Sequence, residues 1–181
     1  MLLNCLKEDI KRLQQESPSD QLTDGLRPVL RGLLSPGFQA ILVYRILRAA
    51  HLKGIPTQPL RYAVERYVEI TTGISIPVEA DFGPGLRIHH FGNVIVHPKV
   101  KVGKNCTLFH DVTLGTDGRS EGAPQLGDDV LLGSGARVLG EISLGDRCRV
   151  GANAVVVKSF PEDAVLVGIP AQNVRKKHDP S

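Results

Sequence analysis

Histidine is the side chain whose ordinary titration falls near neutrality, and four of the six histidines in this 181-residue chain crowd into one short span. The stretch "LRIHHFGNVIVHP" carries His89 and His90 side by side and His97 seven residues later, and "LFHDVTLG" adds His110 next to Asp111. An imidazole in such a cluster can act as a general base toward a hydroxyl, ligate a metal, or fill a core position with its nitrogens satisfied. A zinc site of three histidines would draw on His89 or His90, His97 and His110. Adjacent histidines rarely share one ion, however, and no closely spaced histidine pair of the usual ligand type is present, so no metal is expected. Cys5, Cys106 and Cys148 are too far apart for a thiolate zinc site, and their odd number argues against a disulfide framework, which suits a reducing cytoplasm.

What must position these residues is a chain long enough for one well-buried domain with an appendage. Nineteen glycines and no tryptophan point to a turn-rich, repetitive architecture. Up to residue 72 the apolar positions fall at helical spacing: Leu6, Ile10, Leu13; Leu26, Val29, Leu30, Leu33; Ile41, Leu42, Ile46; Leu60, Ala63, Tyr67. "SPSD", "SPG" and "GIPTQP" punctuate them, which predicts about four short helices over residues 1–72.

After "TTG" the period changes to six. Val96, Val102, Leu108, Leu114, Leu126, Leu132, Val138, Leu144, Val150 and Val156 form an aliphatic ladder that skips only Ser120. Glycine follows six of these ten, against about one by chance. Two residues before the ladder runs a second set, apolar or small: Val94, Val100, Cys106, Val112, Val130, Ala136, Ile142, Cys148 and Ala154. This is the pattern of a parallel β-helix of hexapeptides, in which three short strands make one triangular coil and stacked coils bury what one coil leaves exposed. A β-sandwich would alternate with period two and place its turns irregularly. The β-helix is expected over residues 73–160, with "GTDGRSEGAPQ" thrown out as a loop at 116–125 and a tail at 161–181. Counting back six from Val96 lands on His90, so a buried imidazole in the ladder remains open at this point.

A net charge of +3 without a basic, aromatic-interleaved stripe gives no case for nucleic acid. The N-terminus mixes acidic and basic residues and does not read as a signal peptide. "FQAILVYRILRAAHL" is broken by Arg45 and Arg48 and is too short to span a bilayer. A cytoplasmic protein is the expectation.

The repeat, with "GSGARVLG", "VGANAVVVKSFP" and "VLVGIPAQNV", resembles the hexapeptide acyltransferases. "PGFQAILVYRI", then "GLRIHHFGNVIVHP" and "VTLG", is similar more narrowly to the serine acetyltransferase family, over residues 30–175. The resemblance implies a mainly β fold, a left-handed parallel β-helix of hexapeptide repeats with a short N-terminal α-helical region, an exception to the right-handed crossover rule. It also implies homotrimers with active sites in the clefts between prisms, and acetyl-CoA as co-substrate. His90 takes the role of general base, while His89, His110 and Asp111 fall among the substrate-binding positions. The coenzyme side corresponds to Gly115, to Gly133, Ser134 and Gly135, to Gly151 and Ala152, and to Lys158 and Arg175 as phosphate partners.

This chain departs from the family on the acceptor side. His89 stands where the family has an aspartate, and Ser75 where an acidic residue orients the base, with Glu79 or Asp81 as substitutes. Gly122 and Ala123 replace an Arg-His pair before Pro124. A free amino acid needs recognition of both its ammonium and its carboxylate, so the expected acceptor is a saccharide hydroxyl, with serine as the alternative. A zinc enzyme like the γ-class carbonic anhydrases is a distant third reading, and a non-catalytic prism is another. The short helical region favours a trimer over a hexamer, and the ending "HDPS" gives no expectation of docking onto cysteine synthase.

Overall fold

The computed structural model describes residues 2–15, 34–119 and 121–175. Three helices come first, α1 (Leu2–Gln15), α2 (Pro36–Leu52) and α3 (Leu60–Thr72). The helix expected around Leu26–Leu33 lies outside the described residues. Serine and proline set the start of α2: Ser35 caps it, its hydroxyl accepting from Phe38 N, and Pro36 fills the first helical position, where no amide partner is needed. Gly73, left-handed at φ 68°, ends α3.

From Ile74 onward every strand is two or three residues long, and all stack in parallel except the last pair. β1 (Ile74–Ser75), β4 (Val94–Val96), β7 (Thr113–Gly115), β10 (Arg137–Leu139) and β13 (Val155–Val156) build sheet A. Sheet B contains β2 (Asp81–Phe82), β5 (Lys101–Val102), β8 (Gln125–Leu126) and β11 (Ser143–Leu144). β3 (Arg87–Ile88), β6 (Thr107–Leu108), β9 (Leu131–Leu132), β12 (Arg149–Val150), β14 (Val165–Val167) and β15 (Gln172–Asn173) make sheet C. The chain therefore runs from A to B to C and back to A, the expected left-handed parallel β-helix. All ten ladder residues are buried, and so are the nine small or apolar ones beside them.

The pairing register shows where coils carry extra residues. Val150 pairs with Leu132, 18 residues away, which is three hexapeptides. Leu108 and Leu132 are 24 apart, so one hexapeptide's length is extruded between them as the loop near 116–125. Ile88 and Leu108 are 20 apart, two residues more than a coil requires.

Left-handed residues turn two of the corners. Asn105, Asp129, Arg147 and Asp163 serve between sheets B and C, and Asn93, Asp111, Gly135 and Asn153 between C and A. Glycine after a ladder residue answers a different need, close stacking of coils: a Cβ on Gly103 would sit 2.6 Å from the Gly127 carbonyl carbon. The Asp128 carboxylate accepts from Lys104 N at 2.7 Å, and Asp146 from Asp128 N at 2.8 Å, tying coil to coil.

The helices close the open end of the prism. The Tyr44 hydroxyl donates to Ala80 O at 2.7 Å, and its ring meets Phe82 edge-on. Arg45 is buried, bound to Asp9 of α1 and to the carbonyls of Phe82 and Gly83. Arg48 pairs with Asp81 at 2.6 Å. The two arginines that interrupt the apolar run are thus what fastens α2 to the first coil. Among the described residues no helix is long and apolar enough to cross a membrane.

The coil continues past the expected boundary at residue 160. Val165 and Leu166 pair with Arg149 and Val150, and Ala164 and Leu166 are buried. "DAVLV" sits a few residues out of the six-residue register, which hid its membership.

Cys106 lies in this core, its thiol against the carbonyls of Gly127 and Lys104, and burial pushes its pKa up to about 12. At pH 8 a thiol reagent is expected to label native Cys106 about a thousandfold more slowly than an ordinary exposed thiol, and at the normal rate once denaturant unfolds the chain. Rapid native labelling, read by mass spectrometry, would contradict this burial.

Candidate active site

The corner between sheets C and A explains the two extra residues of the first coil. Lower coils use three residues there: Phe109-His110-Asp111, Gly133-Ser134-Gly135 and Gly151-Ala152-Asn153. His89 N donates to Leu108 O and Phe109 N to Leu132 O, so His89 stacks over Phe109. Asp111 N donates to Gly92 O and Gly135 N to His110 O, so Gly92 stacks over His110 and Ser134. The residues left over are His90 and Phe91, which form the insertion.

This corrects the reading of His90 as a ladder position. Ile88 holds that place, buried, while His90 is exposed in the left-handed region at φ 64° and Phe91 is 68% exposed. The other non-glycine residues with such a φ turn the regular corners, whereas His90 lies in the inserted segment. The insertion is anchored from behind, where Gly92 N donates to Thr72 O at the end of α3.

His110 stands next in the column below His90, with ring centroids 5.8 Å apart and planes at 77°. Its Nδ1 lies 3.4 Å from Ser134 Oγ. His89 instead stacks face to face on Phe109, 4.7 Å between centroids and 14° between planes. The carboxylate of Asp111 is taken up within the protein: Arg137 Nη2 reaches both its oxygens at 3.0 Å, and Arg137 Nη1 donates to its carbonyl. Arg137 was not singled out from sequence; its register opposite Thr113 on the outer face of sheet A is the signal that could have found it.

Among the residues expected to meet the coenzyme, Gly133, Ser134, Gly135, Gly151 and Ala152 share this corner beneath His110. Part of their smallness comes from coil stacking, since a Cβ on Gly133 would lie 2.8 Å from Ala152 N. The others sit elsewhere in the chain. Gly115 ends β7 at the A-to-B corner, below His97, whose N donates to Leu114 O. Lys158 lies over the Phe160 ring at 5.4 Å on that same side. Arg175 is at the B-to-C corner, bound to Asp163 O at 2.7 Å and to its carboxylate at 3.2 Å.

Neither proposed substitute for the orienting acid reaches His90. Arg61 binds Glu79 at 2.6 Å and Arg48 binds Asp81. Burial alone would raise the Glu79 pKa, but the hydrogen bond and charge of Arg61 outweigh it and hold the carboxyl below its usual range. Ser75 pairs with Ile95 and lines a cavity of about 180 Å³ between α2 and α3. Among the described residues His90 makes no hydrogen bond or ion pair, and no three His, Cys, Asp or Glu residues cluster as a metal site. His97 is at the other end of the sheet A strands from His90, so a single chain does not gather the three histidines.

Comparison with known proteins gives the same architecture and a chemistry. The family model described as bacterial transferase hexapeptide (six repeats) matches residues 123–158. A serine acetyltransferase of Helicobacter pylori is 36% identical over 173 residues, covering 94% of this chain and 97% of that one. The crystal structure of Neisseria gonorrhoeae serine acetyltransferase in complex with serine superimposes with a TM-score of 0.82 at 30% identity, over 94% of this chain and 68% of that one. Serine acetyltransferase of Brucella abortus in complex with coenzyme A gives a TM-score of 0.82 at 28% identity, over 94% and 66%.

Proposed function

The chain belongs to the serine acetyltransferase family and is an acyltransferase, and from that premise we propose that it moves an acetyl group from acetyl-CoA to the hydroxyl of serine with His90 as general base. The observation that carries this reading is the two-residue insertion, which lifts an imidazole out of the core onto an exposed corner above a column of small residues.

In the proposed reaction a neutral nitrogen of His90 takes the hydroxyl proton as the acceptor oxygen bonds to the thioester carbon. Collapse of the tetrahedral adduct breaks the carbon–sulfur bond, and the imidazolium returns its proton to the departing sulfur. Products are the O-acetyl ester and the free thiol of coenzyme A. Gly133 to Gly135, with Gly151 and Ala152, would border the pantetheine arm, because nothing larger than a hydroxymethyl projects from them. A threefold assembly would complete the site. Three cavities among the described residues, of about 180, 500 and 420 Å³, are lined by neither His90 nor His110, and Gly115 and Lys158 lie on another edge, which a neighbouring prism would bring against this corner.

The sequence departures led to a saccharide acceptor as the first expectation. Nothing among the relatives supports it, and serine, the alternative, fits them better. One observation keeps the saccharide as a second reading: exposed Phe91, adjacent to the base, offers an apolar ring on which a sugar face can rest.

A thiol-release assay with acetyl-CoA decides between them. Serine is expected to turn over with half-saturation between about 1 μM and 1 mM. Release driven by glycosides and not by serine would reverse the assignment.

A further inference from the structure

We propose that His110 is the positioning residue for the general base, its ring held by Ser134 and set edge-to-face against that of His90. The proposal rests on the reading of His90 as base and is independent of the acceptor.

The insertion sets the stage. The backbone of Gly92 stacks on that of His110, as in a regular corner, and His90 and Phe91 are added beside that column. With them, the His90 ring lies next to that of His110, 5.8 Å away at 77°, an edge-to-face contact that restricts how either ring turns. Ser134 Oγ, one coil lower, lies at 3.4 Å from His110 Nδ1, the long end of hydrogen-bonding range. A hydroxyl donating there leaves the His110 proton on Nε2 and fixes its tautomer.

Other groups around the corner are committed elsewhere. Asp111 is bound by Arg137. On the last turns of α3, Arg66 and Glu69 pair at 3.0 Å. His89 is 6.2 Å from His90 but lies flat on Phe109. Where an acid might have oriented the base, an imidazole backed by a serine hydroxyl stands instead.

The contact orients the base without needing a charge, so its loss should show in kcat rather than in the binding of acetyl-CoA.

The experiment measures kcat and KM for acetyl-CoA in the intact protein. His110→Gln is expected to lower kcat about tenfold, the cost of a misplaced catalytic group, with KM for acetyl-CoA within about twofold and thermal stability unchanged. Ser134→Ala keeps both imidazoles, so kcat should fall only about threefold. His110→Phe, which keeps an aromatic ring against His90, should recover part of the His110→Gln loss. An unchanged kcat in His110→Gln overturns the proposal, and so does a loss that comes with lost thermal stability or that His110→Phe does not reduce. His90→Ala separates the two ideas: full activity there removes the base itself, whereas inactivity there with unaltered His110→Gln kinetics removes only the positioning role.

Discussion

Replacing His90 with alanine is expected to lower kcat/KM by about 10²- to 10⁴-fold, the usual worth of a general base, while coenzyme A binds as before. A serine hydroxyl is a poor nucleophile at neutral pH, and attack on a thioester needs its proton removed as the bond forms. His90 is the exposed imidazole on the corner that also carries the small-residue column, and among the described residues no hydrogen bond or ion pair occupies its nitrogens. Stability should be nearly unaffected because the side chain is exposed. Alanine does not favour φ 64°, so His90→Asn, which tolerates that backbone, is the necessary companion. Both variants should lose transfer, measured by thiol release, and both should bind coenzyme A by calorimetry within about threefold of the parent. Transfer at the parental rate in either variant would move the base elsewhere, with His110 the first place to look.

The prism was legible because its core is one residue deep per strand. Each ladder residue touches its counterpart a coil away, so the six-residue period is written directly into the sequence from Val96 to Val156. The extruded loop was legible for a related reason: a polar hexapeptide interrupts an apolar ladder without shifting its phase. The first coil was misread because the phase shifts inside it, as it does again before Leu166. Ile76, Phe82 and Ile88 keep a six-residue spacing among themselves, but they run two residues out of step with Val96. Counting downstream from Phe82 instead of back from Val96 would have located the insertion and excluded His90 from the core.

Interactions between remote segments left much weaker traces. Arg45 and Arg48 read as breaks in an apolar run because nothing local reveals that carbonyls of the first coil await them. Asp9 has no local neighbour that marks it as buried, because its partners Arg45, Gly85 and Leu86 are remote. Asp111 looked available for substrate because its partner, Arg137, is a full coil away. Lys158 and Arg175 were matched to coenzyme phosphates by resemblance, and only the coil geometry places them on two other edges. For Asp9, Asp111 and Arg175 the charge is visible in the sequence and its partner, distant along the chain, is not.

The largest expected loss of stability follows from that hidden clamp. Arg45→Ala is expected to destabilise the fold by about 3–5 kcal/mol, the cost of leaving one partner of a buried ion pair alone. Arg45 is 4% exposed at its side chain and Asp9 is fully buried. Arg45 donates to both oxygens of Asp9, at 2.9 and 3.2 Å, and to the Phe82 and Gly83 carbonyls. Asp9 in turn accepts from the amides of Gly85 and Leu86 at 2.8 and 2.9 Å. Alanine would therefore strand a carboxylate and two carbonyls at once. Removing both charges, as in Asp9→Leu with Arg45→Met, should recover part of the loss but not all. Two amides and two carbonyls of the first coil would still lack partners, at about 1–3 kcal/mol each. Denaturant midpoints at constant m-value measure the difference. A change below about 1 kcal/mol in Arg45→Ala would mean the helices are not clamped through this pair. The clamp also bears on activity. Phe82 and Gly83 belong to the coil whose C-to-A corner raises His90, so loosening Arg45 should lower kcat before the prism itself unfolds.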